Sequence, residues 1–222
     1  MATAVPAGSL MEDGPSLEVR WILPGRPDTA VARWFVTSVP RIESREDVYL
    51  LRPGLGGLSV KVRAGRALEV KVFLGSPGIL DLQGLARGRL QHWQKWSFPL
   101  HWFSQDGADA AGWIRVCKRR RVIRFALTGG SIAPAVACAR QLAGQALCAV
   151  ELTEFRAQHR DWWSVGLEAT GPAALLRTGL EATAAQVLTE ALPDGVELRM
   201  ADSSSYTDWL RSHPDARDGA SA

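Results

Sequence analysis

Apolar and polar residues alternate with a period of two along much of the chain, as in strands that bury one face. In segment 17–23, Leu17, Val19, Trp21 and Leu23 fall on one side, with Glu18 and Arg20 on the other. Segment 58–63 places Ser59, Lys61 and Arg63 on its polar side, and segment 67–72 does the same with Glu69 and Lys71. The short connection Ala64-Gly65-Arg66 between these two suits a hairpin. Further strands are predicted over Val48–Leu51, Leu90–Phe98, Trp113–Leu127, Cys148–Phe155, Trp162–Ala169 and Val196–Met200. Helical spacing is rarer. Asp28–Val36 reads as a short helix with Asp28 as N-cap. The Ala/Leu-rich stretches Pro134–Leu147 and Pro172–Leu192 each begin with proline near the first turn. Eight or nine strands with three helices make the class α+β, with a mostly antiparallel sheet.

The ends read as disordered tails, 1–15 and 212–222, small and rich in Pro, Gly and Ala. No long linker, repeat or low-complexity tract divides the rest, so 16–211 is expected to form one domain of the 222-residue chain. No apolar run is long enough for a membrane-spanning helix, and the first residues lack the basic start and apolar run of a secretory leader. Three cysteines, at 117, 138 and 148, form no C-x-x-C pair and leave an odd thiol, which fits a reduced, cytoplasmic setting.

A net charge of +3 is too small to indicate a nucleic-acid binder. The placement of the charge says more. All four lysines, Lys61, Lys71, Lys95 and Lys118, lie in predicted strands, and the polar faces alternate carboxylates with bases. In segment 113–127, Lys118, Arg120 and Arg124 share a face if Ile123, Phe125 and Leu127 mark the buried one, whereas Arg115, Arg119 and Arg121 do not sort cleanly. Glu151 and Glu168 occupy the polar sides of the two strands that follow. On an open sheet such residues are ordinary cross-strand pairs that also oppose edge aggregation. In a sheet closed on itself they line a lumen. Convergent ammonium and guanidinium groups then bind phosphate oxygens, while carboxylates suit Mg²⁺ or Mn²⁺. Those are the parts of phosphoryl-transfer chemistry.

Other motifs add little. No P-loop, dinucleotide fingerprint, paired-histidine spacing or nucleophile elbow is present, and Pro53–Gly57 reads as a turn. The basic run 118–121 sits inside a strand pattern, so it is read as a mixed strand rather than a nucleic-acid patch. Trp93, Trp96 and Trp102 are assigned to the core and strand ends rather than to base stacking, and Trp162 and Trp163 must point to opposite faces.

The segments LEVRWIL, SVKVR, LEVKVF, GRLQHWQKWSF, WIRVCKRRR, CAVELTEF, WWSVGLEATG and SSSYTDWL follow one another along the chain. In this order and spacing they resemble the CYTH domain of the triphosphate tunnel metalloenzymes. The resemblance implies an eight-stranded antiparallel barrel, a tunnel with helices packed outside. It implies that Arg20, Lys61, Arg63, Lys71, Lys95, Lys118 and Arg120 hold phosphates, and that Glu18, Glu151 and Glu168 hold Mg²⁺ or Mn²⁺. Glu69 would serve as a further metal ligand or orient its basic neighbours. The implied activity is a metal-dependent phosphohydrolase acting on tripolyphosphate or an organic triphosphate. The alternative is a non-catalytic module of the same fold that binds or senses triphosphate or polyphosphate. The expected partner is a small polyanion, with neither nucleic acid nor membrane.

The first strand departs from the family's Glu-x-Glu-x-Lys signature. Here Glu18 is followed by Arg20 and Ile22; in a register shifted by two, Ser16, Glu18 and Arg20 take the three places. Either alignment loses one carboxylate.

Overall fold

The computed structural model describes residues 11–37, 40–100, 112–128, 131–135, 145–157, 160–192 and 196–213. Its strands are β1 (Met11–Pro24), β2 (Arg41–Leu50), β3 (Leu58–Arg63), β4 (Ala67–Gly75), β5 (Ile79–Leu82), β6 (Ala86–Arg89), β7 (Gln91–Pro99), β8 (Trp113–Thr128), β9 (Ser131–Pro134), β10 (Leu147–Ala157) and β11 (Arg160–Thr170). The helices are α1 (Thr29–Thr37), α2 (Ala173–Ala191) and α3 (Tyr206–Ser212), with a 3₁₀ turn at Met200–Asp202.

Neighbouring strands pair in the order β10-β11-β1-β7-β4-β3-β2-β8, and β8 pairs back to β10. Eight antiparallel strands therefore close into a barrel, the fold class expected from the sequence. β9 adds to the outer edge of β8, and β5–β6 form a separate hairpin. Closure removes the exposed edges of an open sheet.

The main core lies outside the barrel. Leu17, Val19 and Trp21 of β1, Val150 and Leu152 of β10, and Val165 and Leu167 of β11 point outward and pack under Leu176, Leu180, Val187 and Leu188 of α2. The β5–β6 hairpin covers Trp21, whose indole N–H donates to the Arg87 carbonyl at 2.9 Å. Gly88 makes this fit possible, since a Cβ there would lie 2.6 Å from the Trp21 ring. Period two thus does two jobs. It sends one set of side chains into this core and aims the alternate set into the lumen.

Some elements differ from the sequence-based expectation. β1 begins at Met11, inside the segment expected to be a tail. The Val196–Met200 strand reduces to one bridge at Leu198, because the 3₁₀ turn starts at Met200. Residues 136–144 of the helix expected over Pro134–Leu147 lie outside the described residues, while its ends belong to β9 and β10. The tails 1–10 and 214–222, with Cys138, Trp102, His101 and His159, also lie outside them. Asp28 caps α1, its carboxylate accepting from Ala30 N–H at 2.7 Å. Cys117 and Cys148 are free thiols; burial pushes Cys148 up to about 12. No helix among the described residues is long and apolar enough to cross a membrane.

Candidate functional site

Each barrel strand contributes every second residue to the lumen. All seven basic and all three acidic residues singled out from the sequence line one cavity there. Its free space is about 100 Å³, well below the several hundred of a typical small-molecule pocket. That volume suits a compact ion.

The two ends of the lumen differ. At one end α3 lies across the opening, and Trp209 and Leu210 pack on Ile22, Tyr49, Leu51, Ile114 and Phe155. Thr207 donates to Ser59 Oγ at 2.7 Å, and Arg211 donates to the Leu55 and Leu58 carbonyls at 2.8 and 2.9 Å. Ser205 caps the helix by accepting from the Asp208 N–H at 3.1 Å. Ile22 thus belongs to an apolar seal, which explains why no lysine stands there. At the other end Arg41, Arg63, Lys95 and Arg124 border a second cavity continuous with the first through Arg20, Arg120, Glu151 and Glu168. Among the described residues the lumen is a cup with a basic mouth and an apolar floor.

Ion pairs fill the wall. Glu18 and Glu168 face each other across β1 and β11, and Lys71 from β4 donates to both, reaching Glu168 at 3.0 Å. Lys71 is the main reason that Glu168 is lowered to about 2, against the opposing effect of burial. Glu151 on β10 is held between Arg20, at 3.1 Å, and Arg120. Burial raises Glu151, but these two guanidinium groups outweigh it and keep the carboxylate ionised. Glu69 pairs with Lys61 at 3.0 Å and with Arg63 at 2.9 Å, so it orients bases, one of the two roles anticipated for it.

Near the floor, Lys118 donates to the Tyr49 hydroxyl at 2.6 Å, lies 3.3 Å from Asp47, and sits 3.6 Å from the centre of the Tyr206 ring. Its side chain is 2% exposed, and burial holds its pKa well below that of an ordinary lysine. Lys118 lines the cavity as part of the floor, which makes it the least available of the seven bases.

Arg20 is built into the wall. Its guanidinium donates to Glu151 and Ser164, both at 3.1 Å, and stacks 4.6 Å from the centre of the Tyr206 ring. Gly166 lies directly across from Arg20 on β11, and a Cβ there would be 2.7 Å from the guanidinium carbon. The missing side chain at Gly166 is the space that Arg20 fills.

Glu18, Glu168 and Glu151 are the carboxylates that could hold a metal ion. As placed they do not fit a resident divalent cation, because each one is already paired with a lysine or arginine. No group of three His, Cys, Asp or Glu side chains is arranged to hold a metal among the described residues.

No family model matches this sequence, and no curated protein does. Among solved structures, the PH1819 protein from Pyrococcus horikoshii OT3 aligns with 89% of this chain and 98% of its own at 14% identity, with a TM-score of 0.45.

Sequence reasoning missed four lumen residues on β2, namely Glu43, Arg45, Asp47 and Tyr49. Glu43 pairs with Arg120 at 3.0 Å, and Asp47 with Arg45 at 3.1 Å. The outward side of β2 is also polar at Ser44 and Glu46, so no apolar alternation extends the strand expected at Val48–Leu51 back to Arg41. Trp93 was assigned to the core. It is buried, yet it also lines the cavity, and its indole N–H has no hydrogen-bond partner among the described residues. Tyr206 was noted only within a terminal motif; the Ser205-x-x-Asp208 spacing is a capping signal that marks the helix carrying it.

Proposed function

We propose that the protein binds a small polyphosphate-type anion, tripolyphosphate or the triphosphate end of an organic molecule, inside the cup. One observation carries this reading: among the described residues ten lysines and arginines converge on six carboxylates in the lumen and its mouth. Even with Lys118 left out of the count, bases exceed acids by three, and that excess calls for an anion. Guanidinium and ammonium donors suit phosphate oxygens through charge-assisted hydrogen bonds. The cavity is narrow enough to favour a phosphate chain, leaving any organic part at the mouth. The resemblance to CYTH domains points the same way.

Calorimetric titration with tripolyphosphate tests this directly. Saturable binding is expected, weaker by about tenfold in Arg63→Ala, which removes one charge-assisted contact at the mouth. Absence of binding, or equal binding by the variant, contradicts the proposal.

Hydrolysis is a second reading, favoured by the facing pair Glu18 and Glu168. Lys71 bridges these two carboxylates, and an anion that drew Lys71 away would open both to a Mg²⁺ or Mn²⁺ arriving with the phosphate. Phosphate release from tripolyphosphate, thiamine triphosphate or ATP that needs the metal and disappears in Glu168→Gln supports this second reading. Binding without release leaves the binding module.

A further inference from the structure

We infer that the cup binds its polyanion without a resident divalent cation, the fixed guanidinium of Arg20 supplying positive charge where β1, β10 and β11 meet. This rests on the proposed anion binding and specifies how it is achieved.

Three independent features support it. The first is the seat of Arg20. Gly166 leaves the hollow that the guanidinium occupies, and Glu151, Ser164 and Tyr206 fix its orientation. Both side-chain hydrogen bonds leave from Nη1, which keeps the Nη2 donors for a ligand. A divalent cation beside Glu151 would have to displace Arg20 and Arg120 or endure their repulsion.

The second feature is the state of the acids. Lys71 bridges Glu18 and Glu168, so each carboxylate of the pair across β1 and β11 already has a basic partner. Mg²⁺ sheds its water reluctantly and needs oxygen ligands in near-octahedral order. Carboxylates committed to lysine and arginine offer it little.

The third is the valence left over. Trp93 lines the cavity, and its buried indole N–H has no acceptor among the described residues. A buried donor without a partner is costly, and an anion oxygen satisfies it whereas a metal ion cannot.

Calorimetry with tripolyphosphate, once in EDTA and once in excess Mg²⁺, is the decisive experiment. Affinity in EDTA is expected to equal or exceed that in Mg²⁺. Binding that appears only with Mg²⁺ overturns this inference while leaving the proposed anion binding intact. Absence of binding under both conditions overturns the proposed function itself. A second titration uses Mn²⁺ alone. The native protein should give no binding, and Arg20→Glu, which supplies a second carboxylate on β1, should gain it; Mn²⁺ binding by the native protein counts against the inference. Should that variant fail to fold, Arg20→Met keeps the test open. It should lose about tenfold or more of the metal-free affinity, and unchanged affinity contradicts the role given to Arg20.

Discussion

The two ends of this barrel are made by the same strands and do opposite things. Along β1 the inward residues run Ser16, Glu18, Arg20, Ile22, and along β8 they run from Arg124 and Arg120 through Lys118 to Ile114. Charge occupies the mouth and the middle of the lumen, and apolar residues occupy the floor beneath α3. Strand periodicity decides only which side of the wall a residue faces. Position along the strand decides whether it meets a ligand or a seal. Substitutions at the floor should therefore cost stability, and those at the mouth should cost affinity.

The largest effect is expected at the floor. Trp209 is 4% exposed and packs edge-on against Phe155 and Trp162. Trp209→Ala should destabilise the fold by about 3–5 kcal/mol in urea unfolding, as for other large-to-small core changes. A loss below ~1 kcal/mol would mean that α3 does not seal the barrel.

Next comes the middle of the wall. Glu151→Gln leaves Arg20 and Arg120 as like charges without their shared carboxylate. Breaking such a buried cluster should cost about 3 kcal/mol in the same assay, with part of the loss recovered when tripolyphosphate is added. If the anion restores nothing, Arg20 and Arg120 do not face it.

Acid titration probes the carboxylates together. Glu168 is lowered from 4.5 to about 2, and Glu151, Glu69 and Asp47 are displaced in the same direction. A lowered carboxylate contributes stability that is complete above its unfolded value and is lost as pH falls through the folded one. The urea midpoint should therefore begin to drop near pH 4.5 and fall steadily toward about 2. A midpoint that holds steady through this range would show that the acids are unpaired in solution.

The smallest stability effect belongs to the mouth. Arg124 is exposed at the rim, and Arg124→Ala should move the unfolding free energy by no more than about 0.5 kcal/mol while weakening tripolyphosphate several-fold. Equal affinity with and without Arg124 would place the anion deeper than the mouth.

Much of this was legible in the chain. β1 and β11 bury their apolar residues outward, and β3 and β4 alternate apolar with charged residues in sequence, so the alternation of all four is sharp and the ten candidate residues line the lumen. Arg115, Arg119 and Arg121 resisted sorting because β8 carries arginines on both faces. Arg121 points outward to Glu154 at 2.5 Å, while Arg120 points inward. Only the end of β2, within Val48–Leu51, is legible as a strand; its first residues stay hidden because charge alternates there with polar residues. The four-residue strands of the β5–β6 hairpin are too short to show a period. Pairing among the lumen residues was not legible at all, since it depends on which strands become neighbours across the barrel. That pairing is what separates a metal site from a set of neutralised carboxylates.

The measurement that tests the central claim most directly is thermal unfolding with and without tripolyphosphate, made on the native protein and on Arg120→Gln. A ligand that binds only the folded state raises the midpoint. A clear rise is expected for the native protein in EDTA and little or none for the variant, whose wall has lost one of its central guanidinium groups. No rise in the native protein, or the same rise in both, would contradict it.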